Sequence, residues 1–313
     1  MTPSTDAFGA RTLWRYQELL DEGLSRQRIQ RLVACGELCR LRKNCYVPDA
    51  YWAALTPLER LAFRAEAHHH SLVGLVTTQH VYSHETAAAL HGLSLWKPGP
   101  EVHVTQPTRT SNASHGADVR NHSANLNEDD VVVLRGLPST SLHRTMLDCA
   151  RTLPFDQALI IADQCLARGV PRTASLEGLE LLGPVTGIAR AREVVMAADP
   201  LSESPGETLT RSRLLRFRLP PARSQVDVDT RHGLYRLDFG WPELLVGLEF
   251  DGRVKYFGTA TDEVLYQERR REKALTEQGW TIVRIEWSEL FREAELEARI
   301  RRALDAALRR AAA

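Results

Sequence analysis

The sequence predicts an α/β multidomain chain, and three observations carry that prediction. Helix-period and strand-period segments alternate through the middle and C-terminal parts, as in DQALIIADQCLARG against EVHVTQP and VGLEFDG. Two short periodic helices and a hairpin-like run open the chain. A stretch rich in proline, glycine and serine, AADPLSESPGE, then marks a boundary near residue 200. At 313 residues the chain has room for two or three domains. The reading is 1–56, 57–199 and 200–313.

In the first domain LWRYQELLDEG has helical periodicity, with Leu13, Tyr16, Leu19 and Leu20 on one face and Gly23 as the stop. Ser25 caps a second helix, RQRIQRLVACG, whose Ile29, Leu32 and Val33 are expected to face inward. ELCRLRKNCYV follows as two short strands around Lys43-Asn44. Helix, turn, helix and hairpin together predict a winged helix-turn-helix. In that geometry Arg26, Gln27, Gln30 and Arg31 point outward, and arginine and glutamine suit the edges of guanine and adenine. Arg40, Arg42 and Lys43 would meet phosphates. The plainer reading is a solvated helix face. Forty basic residues balance forty acidic ones, so only the local charge, and not the total, points to DNA.

The middle domain, 57–199, reads as mixed helix and strand. SHETAAALHGL is an alanine-rich helix, EVHVTQP and VVVLRGLPST are strands, and STSLHRTMLDCARTL and DQALIIADQCLARG are amphipathic helices. His84, His91, His103 and Asp148 read as structural groups with satisfied hydrogen bonds. Cys35, Cys39 and Cys45 with the run His68-His69-His70 raise zinc, but they lack paired C-x2-C spacing. Five cysteines fit a reduced, cytoplasmic chain. No apolar run reaches the roughly 18 residues of a membrane span, and the first residues lack the pattern of a secretory signal.

The last domain predicts the order αβββαβα: a helix from SPGETLTRSRLLRF, strands QVDVD, LYRLDFGWP and ELLVGLEFDG, the charged helix DEVLYQERRREKALTEQG, the strand WTIVRIEW and a final helix. Strand alternation puts Asp238 with Arg236 on one face and Glu249 with Asp251 on one face of the next strand. Asp238 and Glu249 are thus expected to point to one place. Such carboxylates suit magnesium, which takes oxygen ligands and stabilises charge on a phosphodiester. Lys255 would add positive charge to a transition state. Ser204-Pro205-Gly206-Glu207 is a capping box, so Glu207 serves either as a cap or as an outer metal ligand. Asp251-Gly252 fits a tight turn as well as a site. Arg269, Arg270, Arg271 and Lys273 form a solvated face or a phosphate-holding one, and Arg284 would join the latter.

SPGE, YRLDFGWPE, GLEFDGRVKY and ERRREKALTEQGWTIVRI together resemble the PD-(D/E)xK superfamily of nucleases, in the branch related to very-short-patch-repair endonucleases. The resemblance covers about 200–295 and implies a restriction-endonuclease-like fold, with magnesium on Glu207, Asp238 and Glu249. It departs from the pattern where Asp251 stands in the lysine position, with Lys255 further along. LLDEGLSRQRIQRLVACGELCRLRKNCYV, SHETAAALHGL and LPSTSLHRTMLDCAR are similar to the AbiEi family of antitoxins, which bind DNA and repress their own operons. These resemblances imply a metal-dependent DNA endonuclease. The alternative they leave open is a non-catalytic repressor or antitoxin with a degenerate nuclease domain. The implied partners are DNA, a cognate toxin or defence-operon protein, and a second copy of the chain.

Overall fold

The computed structural model describes residues 12–72, 80–107, 116–252 and 262–312. The fold is α/β, and it divides into two compact units: Met1–Leu153 with Thr173–Arg192, and Pro154–Arg172 with Glu193–Ala313. Among the described residues no helix is long and apolar enough to cross a membrane.

The N-terminal unit opens with α1 (Tyr16–Asp21) and α2 (Arg26–Ala34), then the antiparallel hairpin β1 (Leu38–Arg42) and β2 (Cys45–Pro48). Ser25 Oγ accepts the Arg28 N–H at 3.2 Å, as an N-cap should, and Gly36 follows α2 at φ 75°. Trp14, Leu19, Ile29, Leu32, Leu38 and Tyr46 pack into one small core. Val33, expected to face inward, is 37% exposed, because the buried stripe of α2 is only Ile29 and Leu32.

Next come α3 (Asp49–Ala54), α4 (Pro57–Leu72), β3 (Val81–Tyr82), α5 (His84–Leu90), β4 (Val102–Gln106), β5 (Val119–Ser123), β6 (Val131–Leu134), β7 (Leu137–Thr140) and α6 (Leu142–Thr152). The five strands form one mixed sheet in the order β5-β4-β3-β7-β6. Alanine-rich α5 lies close to the sheet because small side chains permit close approach, with Ala87, Ala88 and Ala89 almost fully buried. Tyr82, Val102, Val104, Val119 and Leu137 supply the sheet's share of that core.

The C-terminal unit contains α7 (Phe155–Ala167). The chain then passes through α8 (Arg172–Leu181) and α9 (Ile188–Ala197) to α10 (Pro205–Arg216). Thereafter the order is β8 (Arg223–Thr230), β9 (Gly233–Trp241), β10 (Val246–Asp251), α11 (Asp262–Glu277), β11 (Thr281–Glu286) and α12 (Glu293–Ala311). The sheet order is β11-β10-β9-β8, antiparallel except for the β10–β11 pair, which α11 joins as a crossover. Val226, Val228, Leu237, Leu275 and Trp280 form a core cluster involving β8, β9 and α11.

Helix α10 is held by ion pairs as well as apolar contacts. Arg211 Nη2 donates to both oxygens of Asp163 at 2.7 and 2.6 Å, and Thr208 Oγ1 donates to Asp163 at 2.7 Å. Arg213 and Arg216 reach Asp156 at 2.8 and 2.6 Å. Both aspartates belong to α7, so α7 and α10 are clamped by charge in a largely buried setting.

Candidate functional site

Strands β9 and β10 pair through Val246–Trp241, Gly247–Gly240 and Leu248–Phe239. Continuing that register sets Glu249 opposite Asp238, one step beyond the last paired residues. There the Asp238 carboxylate takes over the role of a ladder partner: its Oδ2 accepts the Phe250 N–H at 2.6 Å. A backbone donor at a divergence of two strands is thereby satisfied, and Asp238 is fixed in place.

Glu207 arrives from the start of α10. Ser204 is the N-cap, and its Oγ accepts the Glu207 N–H at 3.2 Å. Glu207 Oε1 accepts the Ser204 hydroxyl at 2.7 Å, and its Oε2 accepts the Glu203 N–H at 2.9 Å and the Gln225 amide at 3.0 Å. The capping role is therefore real. It does not isolate the carboxylate: burial first, and the Asp238 charge among further causes, push Glu207 above its ordinary value. Asp238 is likewise raised, by burial first and then by Glu249 and Glu203, against the lowering effects of the Phe250 N–H and Arg271. Carboxylates from α10, β9 and β10 thus sense one another.

Glu249 is engaged differently. Arg271 Nη2 donates to its Oε1, and Arg284 Nε lies 3.9 Å from its Oε2. Arg271 also donates to the Arg236 carbonyl at 2.8 Å, bridging β9 and β10 from α11. Arg236 pairs with Glu203. Asp251 stands beside Glu286 in the β10–β11 register. Lys255 lies outside the described residues. Among the described residues, Glu207, Asp238 and Glu249 do not bring one oxygen each within 4.8 Å of one another. The acids share a neighbourhood, with Glu249 held by arginine.

One site residue is missed by the sequence and a second is named without its partner. Gln225, at φ 52°, is skipped in the β8–β9 pairing, whose register is unchanged on either side, and turns its amide to Glu207. Alternation along QVDVD gives no sign of that kink. Arg271 is one of three consecutive arginines, and helix rotation of about 100° per residue gives each a different neighbour. Composition does not say which one meets Glu249.

On the N-terminal unit Arg26, Gln27, Gln30 and Arg31 are all exposed along α2, and Arg40 and Lys43 are exposed on the hairpin. Arg42 departs from the expectation that it faces phosphate: its side chain is 12% exposed and lies 3.5 Å from Asp118. Arg270 is exposed, with Nη2 3.2 Å from His232 Nδ1.

Among the described residues one further group gathers potential metal ligands, namely His84, His103 and His122, whose ligand atoms lie within 4.8 Å of one another. Burial holds His84 well below its ordinary value and pushes His103 down to about 3 and His122 to about 4, so all three are neutral at pH 7. This corrects the expectation for His84, whose Nε2 is buried without a hydrogen-bond partner. His91 and Asp148 do match it: His91 Nε2 meets the Thr140 carbonyl at 2.9 Å, and Arg144 donates to Asp148 at 3.0 Å. The cysteines are free thiols.

No protein-family model matches the chain. A solved protein from Mycobacterium tuberculosis, RV2827C, is similar at a TM-score of 0.40 and 15% identity, over 71% of this chain and 85% of that one. Two curated relatives from Mycobacterium tuberculosis are 30% identical over 227 residues, covering 71% of this chain and 80% of each: the uncharacterized proteins MT2308 (strain CDC 1551 / Oshkosh) and Rv2248 (strain ATCC 25618 / H37Rv). The chain belongs to the family of these two mycobacterial proteins.

Proposed function

We propose that the chain is a DNA-binding protein whose C-terminal unit is a magnesium-dependent, PD-(D/E)xK endonuclease-like phosphodiesterase. The observation that carries this reading is that α10, β9 and β10 bring Glu207, Asp238 and Glu249 into one neighbourhood, with Asp238 fixed by the Phe250 N–H, where burial first and neighbouring acids next raise Glu207 and Asp238. Crowded carboxylates of this kind are relieved by a divalent cation, and an all-oxygen donor set suits magnesium. Glu207, Asp238 and Glu249 would hold the ion, which neutralises charge on a phosphodiester and lowers the pKa of a bound water. Asp238 is already oriented by the Phe250 N–H. Arg271 and Arg284 add positive charge beside Glu249, where a DNA phosphate would lie. The exposed Arg26, Gln27, Gln30 and Arg31 suit the second helix of a winged helix-turn-helix facing duplex DNA.

A second reading rests on a specific observation. Glu249 is paired with Arg271, and Asp251 occupies the lysine position of the nuclease pattern. That arrangement favours a non-catalytic repressor or antitoxin, with a toxin or defence-operon protein as partner. Plasmid cleavage with and without magnesium separates the two. Cleavage that needs magnesium and is lost in Asp238→Ala and Glu249→Ala supports the nuclease. An intact protein that never cuts but shifts DNA from its own operon supports the repressor.

A further inference from the structure

We propose that His84, His103 and His122 form a mononuclear zinc site in the N-terminal unit, with three imidazole ligands and a fourth position for water. The site lies apart in sequence from the carboxylates discussed above and does not depend on them.

Three elements converge on it. His84 begins α5, His103 lies on β4 and His122 on β5, where β4 and β5 run parallel with Thr105 opposite His122. His122 Nε2 and His103 Nδ1 are 3.1 Å apart, and the His84 and His122 rings stack with centroids 3.6 Å apart. Tetrahedral zinc with Zn–N bonds of about 2.0–2.1 Å needs ligand nitrogens about 3.4 Å apart. The 3.1 Å between the His122 and His103 nitrogens is of that order, and the ligand atoms of all three lie within 4.8 Å of one another; the stacked His84 and His122 rings must rotate for both to aim a lone pair at one ion.

On two of the three histidines the nitrogen facing away from the cluster has a polar neighbour, within hydrogen-bond distance for His84 and at a longer distance for His103. His84 Nδ1 lies 3.0 Å from Ser83 Oγ, which also accepts the Thr105 hydroxyl at 2.7 Å. A proton on Nδ1 leaves the lone pair on Nε2, the atom that is buried without a partner. His103 Nε2 lies 3.7 Å from Glu85 Oε2, a carboxylate that is itself 8% exposed. A proton on that nitrogen leaves Nδ1 with its lone pair toward His122. A carboxylate or hydroxyl behind a ligating histidine fixes its tautomer and orientation, and such support is characteristic of metal sites. His84 also sits at φ 53°, a left-handed conformation that a residue bearing Cβ disfavours.

The donor set narrows the choice of ion. Three imidazoles with no carboxylate among them suit zinc and the neighbouring transition metals and disfavour magnesium or calcium, which take oxygen. His122 is only partly buried, which gives solvent access on its side.

The test uses the full chain, freed of metal with a chelator and titrated with zinc against a chromophoric indicator, with cobalt(II) as a spectroscopic substitute. One zinc per chain is expected, and cobalt should give the visible bands of a tetrahedral site. His122→Asn, at the partly exposed position, and His103→Asn should each weaken zinc by more than about 100-fold, and Glu85→Gln by about 10-fold. Asp238→Asn and Glu249→Gln should leave the stoichiometry at one. Circular dichroism of each variant separates loss of a ligand from loss of the fold. A wild-type chain that takes up no zinc, or zinc binding unchanged in a folded His122→Asn, overturns the proposal.

Discussion

The contact between Gly206 and Phe250 provides a sharp test of how the carboxylate site is braced. A Cβ built on Gly206 would lie 1.9 Å from Phe250 Cε1 and 2.3 Å from both Cδ1 and Cζ. Carbon atoms rest at about 3.5–4.0 Å, so in Gly206→Ala the ring has to retreat by about 1.6–2.1 Å. It is not free to do so: Trp287 meets it edge-on at 5.1 Å between centroids, and the Phe250 amide is bonded to Asp238. Over-packing of this kind costs about 1–3 kcal/mol. Alanine's helix preference over glycine offsets at most about 1 kcal/mol, and less at the second position of α10. We expect a net loss of about 1–2 kcal/mol, read as a Tm lowered by about 2–8 °C. Thermal unfolding by circular dichroism measures it, with Trp287 fluorescence as a local reporter. The double variant Gly206→Ala/Phe250→Leu should lose less than the sum of the singles, by about 0.5 kcal/mol or more. A Gly206→Ala protein as stable as wild type, or strict additivity in the cycle, would refute the reasoning.

Three further outcomes follow from the same structure. Asp238 binds its proton more readily in the folded chain, so native stability falls as pH rises from the ordinary carboxylate range through the raised value; Asp238→Asn should therefore raise Tm at pH 7–8, and the gain should vanish below about pH 4. Arg211→Met leaves Asp163 buried without its cation and should cost about 3–5 kcal/mol, with much of that recovered in Arg211→Met/Asp163→Leu, as followed by urea unfolding. Arg26→Ala with Arg31→Ala should weaken DNA binding, and Arg40→Ala with Lys43→Ala should reduce the slope of log K against log salt by roughly 2; unchanged binding in the first pair would remove α2 from the DNA interface.

Periodicity made the element order legible, because amphipathic helices and alternating strands announce themselves locally. The helix from SPGETLTRSRLLRF, the hairpin around Arg231-His232 and the crossover to WTIVRIEW all occur where the pattern sets them. The placement of Asp238 opposite Glu249 was legible for the same reason. What stayed hidden depends on distance in sequence. Arg271 meets Glu249 across 22 residues, and no local rule chooses it over Arg270. His103 and His122 are 19 residues apart and meet through parallel strands whose register a single sequence does not specify. His84 reads in sequence as one more satisfied structural group, and only the three-dimensional surroundings show that its Nε2 lacks a hydrogen-bond partner.

The ionic clamp on α10 makes the sequence boundary near residue 200 a poor place to cut. The chain passes between its two units three times, after Leu153, Arg172 and Arg192, so no single cleavage releases either unit whole. A fragment that starts at residue 200 would keep Arg211 and Arg213 but lose Asp163 and Asp156, stranding the largely buried Arg211 guanidinium without its carboxylate and leaving Arg213 with Glu293 alone. The helix that carries Glu207 is thus inherited together with a segment encoded more than thirty residues upstream. Transplanting the carboxylate site into another protein would require moving a discontinuous piece of chain.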